Sequence, residues 1–144
     1  MRYLTEPFAF GALKRGRAVE QFLGPAGNSD RPGVCYVEVR PTRGGYEAYF
    51  RAVLDSDPQT YDLDSLPPLL DDEEEDFGLL LATAADPASA LEAAESRTGA
   101  TRARWVNQGM ADHEYQDYVQ AGRPTDAAPD GHPWPARQGP RPCG

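Results

Sequence analysis

The amino-acid sequence predicts an α+β domain over residues 1–122 and a disordered Pro/Gly-rich tail over residues 123–144. Three features carry that prediction. Residues 34–40 and 46–54 alternate apolar and polar side chains on either side of a Gly-rich turn. Segments with helical spacing flank them. Residues 123–144 hold six of the fourteen prolines and few apolar side chains, too few to offset the entropy of ordering. The expected architecture is an antiparallel sheet built around the central hairpin, with two or three helices packed on one face. A chain of 144 residues has room for one such domain and one core of ordinary depth.

In residues 17–25, Ala18 and Val19 stand three and four positions before Phe22 and Leu23, so they share one helix face, and Gly24-Pro25 stops the helix. Gly16 costs about 1 kcal/mol inside a helix and is placed at or before its start. The alternation of Val19, Gln21 and Leu23 leaves a strand open as the alternative. In the hairpin, Cys35, Val37 and Val39 face the core with Ala48, Phe50, Ala52 and Leu54. Tyr36, Glu38, Arg40, Glu47, Tyr49 and Arg51 make the opposite face, a solvent or binding surface. Residues 55–76 contain Pro58, Pro67 and Pro68 and read mostly as loop. Residues 77–82 are apolar on both alternating faces, which suits an interior strand covered on two sides.

Asp86 followed by Pro87 reads as an N-cap and a first helical residue, with Leu91 and Ala94 facing inward and Gly99 as the stop. Residues 101–106 fit a strand with Ala103 and Trp105 inward and Arg102 and Arg104 outward. Trp105 reads as a core residue whose indole N–H needs one partner. Residues 110–121 form a helix whose inner stripe is Ala111, Tyr115, Tyr118 and Val119, opposite Asp112, His113, Gln116, Asp117 and Gln120; Gly122 and Pro124 close it.

The net charge of −9 is unevenly distributed: residues 1–51 carry +3, residues 52–76 carry ten acidic groups and no basic ones, and residues 77–144 carry −2. A net-acidic chain without a Lys/Arg stripe lacks the electrostatic footprint that phosphate backbones require, so nucleic acid is not expected and a basic protein is the favoured partner. No apolar run has the length of a signal peptide or a membrane span. The two cysteines, Cys35 and Cys143, read as thiols in a reducing compartment, which makes the expected location cytoplasmic.

Motifs for catalysis are absent: there is no Walker-type loop, no Gly-x-Ser-x-Gly elbow and no Cys-x-x-Cys, and His113-Glu114 lacks the second histidine of a zinc protease. No catalytic residue, metal or cofactor is assigned. Two candidate sites remain. The first is a partner surface made of Asp71, Asp72, Glu73, Glu74, Glu75 and Asp76, with Asp55, Asp57, Asp62 and Asp64 upstream, and with Tyr36, Arg40, Tyr49 and Arg51 on the sheet. Consecutive carboxylates suit fast, salt-sensitive docking and lack the alternating ligands of a calcium loop. A solvated loop and a hairpin stabilised by cross-strand charge pairs explain the same residues. The second is a small-molecule or enzymatic site using His113, Asp117, Tyr115 and Arg104 in a pocket between the last helix and the sheet. His113 and Asp117 lie one turn apart, a spacing that serves two ligands or an exposed polar face equally. Pro133-Trp134-Pro135 reads as a short extended recognition element in the tail.

At Phe22-Leu23-Gly24-Pro25, followed by the hairpin over residues 34–54, the chain resembles small immunity proteins of bacterial polymorphic-toxin systems. These are compact acidic α+β domains that neutralise a toxin by covering its active site. The resemblance implies stoichiometric binding and inhibition without catalysis, and it transfers no binding residue.

Overall fold

The computed structural model describes residues 3–27, 30, 32–55, 63, 66–67 and 79–135. At its centre is the expected hairpin. Strands β2 (Pro32–Thr42) and β3 (Gly45–Leu54) pair antiparallel from Gly33↔Leu54 to Thr42↔Gly45, around a turn in which Gly44 takes φ +91°. With β1 (Val19–Gly27), β4 (Leu79–Ala84) and β5 (Val106–Asn107) they form, among the described residues, a five-stranded antiparallel sheet in the order β4-β3-β2-β1-β5.

Both faces of the sheet are covered. Helices α1 (Glu6–Lys14) and α2 (Pro87–Thr98) pack on one face, where Leu13 and Leu91 meet Val37, Val39 and Phe50. Helix α3 (Ala111–Gln120) packs on the other, where Tyr115 and Tyr118 meet Phe22, Val34, Tyr36 and Val53. Alternate residues of β2 thus feed two separate cores.

This arrangement explains why residues 17–25 mislead as a helix. They form a strand next to the sheet's centre, paired from Val19↔Val39 to Phe22↔Tyr36 with a bulge before Gly24. Val19 and Leu23 enter one core and Phe22 the other. A strand buried on both faces places apolar residues at either parity, and here they happen to fall three and four apart. The helix lies upstream, at residues without a sequence assignment. Ala9, Ala12 and Leu13 of α1 are buried at helical spacing, Pro7 sits in the first turn, and Gly16 (φ +88°) follows the C-cap Arg15.

Two further strand expectations are corrected. Among the described residues β4 is an edge strand, not an interior one: Leu81 is buried against α2's side of the sheet while Leu80 is 43 % exposed. An apolar run at the sheet's rim satisfies the same pattern with one face covered. Residues 101–106 hold a 3₁₀ turn (Arg102–Arg104), and only Val106 enters a strand. The cause is Glu95 of α2, whose carboxylate accepts from both Arg102 Nε and NH2 and from Trp105 Nε1 (2.9 Å). Those bonds turn the chain so that Trp105 is fully buried and Ala103 points to solvent. α2 itself matches its expected ends, with Asp86 Oδ1 accepting from Ser89 N–H (2.8 Å) and Gly99 in the left-handed region at φ +78°.

Residues 123–135, expected within the disordered tail, pack on the domain; residues 136–144 lie outside the described residues. Trp134 is the reason. Its ring meets Phe22 (centroids 5.8 Å) and Tyr118 (6.0 Å) edge-on, and its Nε1–H donates to Pro124 O (3.1 Å). It also rests on Gly24, where an added Cβ would come within 2.6 Å of the indole and where φ is +102°. Gly24→Ala is therefore expected to cost about 1–2 kcal/mol in backbone strain and to displace Trp134. Urea denaturation reads the first effect, and return of the Trp134 indole N–H resonance to its solvent-exposed position reads the second.

Cys35 is fully buried and disulfide-bonded, in place of the expected thiol; Cys143 lies outside the described residues. Disulfides persist in oxidising compartments, so the cysteines lend the cytoplasmic expectation no support. Among the described residues no helix is long and apolar enough to cross a membrane.

Candidate functional site

A cavity of about 230 Å³ opens between α3, the Phe22 end of β1 and the C-terminal segment. Its lining combines three aromatic rings (Tyr3, Phe22, Trp134) with three carboxylates (Glu114, Asp117, Asp130) and one guanidinium, Arg104; Ala128 and Pro129 complete it. Five separate stretches of chain converge there. Leu4 N–H donates to Trp105 O (2.8 Å), which fixes the N-terminal stretch bearing Tyr3, and the 3₁₀ turn presents Arg104 beside it. Glu114 and Asp117 lie three apart and so share a face of α3. The C-terminal side is a small looped-back turn: Ala128 N–H donates to His132 O (2.8 Å), Gly131 N–H donates to Ala128 O (2.8 Å), and Gly131 takes φ +90°.

Arg104 organises the charges. Its NH1 donates to Asp130 Oδ2 (2.9 Å), its NH2 to Tyr3 Oη (2.6 Å), and NH2 lies 3.9 Å from Glu114 Oε1. The guanidinium also sits over the Tyr3 ring at 4.5 Å. Tyr3 in turn hydrogen-bonds Glu114. Burial, then the Glu114 hydrogen bond and charge, hold the Tyr3 phenol well above its ordinary range despite Arg104. Burial works to raise Asp130, but the His132 N–H (3.1 Å) and Arg104 outweigh it and keep the carboxyl below its usual value. His132 is lowered by burial and by Arg104, and its Nε2 lies 3.3 Å from Thr101 Oγ1. At neutral pH the site thus keeps a neutral phenol and a neutral imidazole beside an ionised Asp130.

The expected small-molecule quartet is split. Arg104 and Asp117 line the cavity. His113 is exposed and is not part of the lining, and Tyr115 is wholly buried with its hydroxyl on Asp55 Oδ1 (2.6 Å). Tyr3, Phe22, Glu114 and Asp130 are not among the site residues expected from the sequence, and Trp134 is expected only within a recognition element of the tail. Glu114 carried a readable signal, since it falls between Ala111 and Tyr118 on the apolar stripe and is only 7 % exposed. Tyr3, Asp130 and Trp134 are brought in by tertiary contacts alone.

Of the partner surface, Asp57, Asp62, Asp64 and the run from Asp71 to Asp76 lie outside the described residues. Asp55 is not a docking residue: its side chain is 2 % exposed and accepts from Arg123 Nε (2.7 Å) as well as from Tyr115. On the sheet, Tyr36 is buried in the α3-side core. Arg40 pairs with Glu38 (3.2 Å) and covers the Tyr49 ring (4.6 Å), and Tyr49 donates to Glu47 (2.8 Å). Arg51 is half-buried. This face is largely occupied by its own charge pairs. Trp134, read as part of a recognition element, packs within the chain.

Fold and cavity together define an antiparallel α+β domain with an acidic, aromatic-walled cavity. No family model matches the chain, and no significant match is found among curated proteins or solved structures. Of the features behind the immunity-protein resemblance, the helix ending at Gly24-Pro25 is β1, which leaves the hairpin, the size and the charge.

Proposed function

We propose that this chain is an acidic protein-binding domain that engages a basic protein partner by stoichiometric contact, in the manner of an immunity-type inhibitor. The observation that carries the reading is the sign of its charge: −9 overall, with ten acidic and no basic groups in residues 52–76, and three carboxylates against one guanidinium around the cavity. Such a distribution raises the rate of encounter with a basic surface and suppresses acidic competitors. The catalytic alternative loses its intended base because His113 stands away from the cavity.

The test is capture of the tagged protein's partner from host lysate at low salt, with salt-gradient elution and mass spectrometry, followed by association kinetics with the protein recovered. A single basic protein eluting at moderate salt is expected. Replacing Asp72, Glu73 and Glu74 with Asn, Gln and Gln is expected to slow association about tenfold at low ionic strength and to flatten its salt dependence. Retention of no specific protein would remove the binding reading.

A further inference from the structure

We infer that the cavity lined by Trp134, Phe22, Tyr3 and the carboxylates of α3 receives one arginine side chain of the basic partner. The inference rests on the binding function proposed above and names the group that enters the site. The size points to a side chain: about 230 Å³ is smaller than the roughly 300–1,000 Å³ that encloses a whole drug-sized molecule. The charge points to a cation. Arg104 is already matched by Asp130 at 2.9 Å and lies close to Glu114, so the lining stays formally negative with Asp117 included.

The shape of the chemistry favours guanidinium over ammonium. A planar, weakly hydrated fork stacks on aromatic rings and meets carboxylates edge-on, whereas an ammonium keeps its hydration more tightly. The site already seats one guanidinium in that way, since Arg104 stacks over Tyr3 at 4.5 Å while forking to Asp130 and the Tyr3 hydroxyl. The aromatic wall at Trp134 and Phe22 and the carboxylate of Asp117 offer an entering side chain the same two kinds of surface.

The experiment is an NMR titration of the intact chain with N-acetyl-argininamide, using N-acetyl-citrullinamide as the neutral isostere and N-acetyl-lysinamide as the ammonium control. Saturable shifts at Glu114, Asp117, Asp130 and the Trp134 indole N–H are expected for the arginine probe, with a Kd of about 1 mM, the order that a ligand of this size reaches. The citrulline and lysine probes are expected to bind at least about tenfold more weakly, and Asp117→Asn to weaken the arginine probe by about the same factor with an unchanged melting temperature. Absence of saturable shifts at about fifty times that concentration overturns the inference, and so does equal binding of citrulline or lysine. Because the titration uses no partner protein, its failure leaves salt-sensitive partner capture standing on its own. Conversely, arginine binding in a chain that captures no protein would retire the proposed function and leave a guanidinium site.

Discussion

Asp55→Ala is expected to cost about 3 kcal/mol, a large share of the roughly 5–15 kcal/mol that holds a domain of this kind together. Asp55 directly follows β3 with its side chain 2 % exposed, and it is shared by two stretches from the far end of the chain, α3 and Arg123. Tyr115 Oη of α3 donates to Oδ1 at 2.6 Å, and Arg123 donates from Nε to Oδ2 at 2.7 Å and from NH2 to Oδ1 at 3.3 Å. Removing the carboxylate strands a buried phenol, a loss of about 1–3 kcal/mol by itself. It also releases the guanidinium that starts the C-terminal segment. Arg123 is about a third exposed and regains water, which moderates the total. Tyr115→Phe keeps the ion pair and the packing and is expected to cost about 1 kcal/mol. Chemical denaturation of both variants measures the difference, and equal losses would mean that the Arg123 contact contributes nothing. Since Trp134 and Asp130 follow Arg123 along the same segment, the Asp55 variant is also expected to weaken the arginine probe, although Asp55 is not part of the cavity lining.

What the sequence made legible was local. The β2–β3 hairpin follows from strict alternation across a tight turn, and α2 follows from Asp86, Pro87 and Gly99, each acting on its own neighbours. Where burial is two-sided, local periodicity loses its meaning: Val19, Phe22 and Leu23 serve two cores in one strand and imitate a helix face. The 3₁₀ turn at Arg102 was hidden because its cause, Glu95, lies on another element. The cavity is legible to the same extent. Asp117 follows from its one-turn spacing to His113, although His113 itself is not in the lining, and Arg104 is the arginine expected beside that pair. Tyr3, Phe22 and Trp134 meet there through tertiary contacts, and Trp134 lies on the bare patch of β1 that Gly24 provides.

Glu20 is the group expected to make stability depend most on pH near neutrality. It lies on β1 beneath the turn that leads into α3, and its Oε1 accepts from Gly109 N–H (2.7 Å) and Ala111 N–H (3.1 Å). Burial pushes its carboxyl up to about 7; those two N–H bonds oppose the rise, and the charges of Glu38 and Asp112 add to it. A carboxyl whose folded pKa lies above its unfolded value of about 4.5 binds its proton more tightly in the folded state. Its contribution is therefore most favourable below about pH 4.5, declines as pH rises to about 7, and is flat above that. The full shift corresponds to a loss of at most about 3 kcal/mol, and partial hydration of the turn brings the expected value nearer 2 kcal/mol. Glu20→Gln retains an oxygen for both N–H groups and carries no charge. It is expected to raise stability by about 2 kcal/mol at about pH 8, to change little at about pH 4.5, and to remove that part of the slope between them. Urea titrations of both proteins across this range read the result directly. A variant less stable than the parent at high pH would show that the ionised carboxylate is favoured at the N-terminus of α3, the helix dipole and its two N–H bonds outweighing burial. In either protonation state the Glu20 side chain holds the start of the helix that carries Glu114 and Asp117 into the cavity.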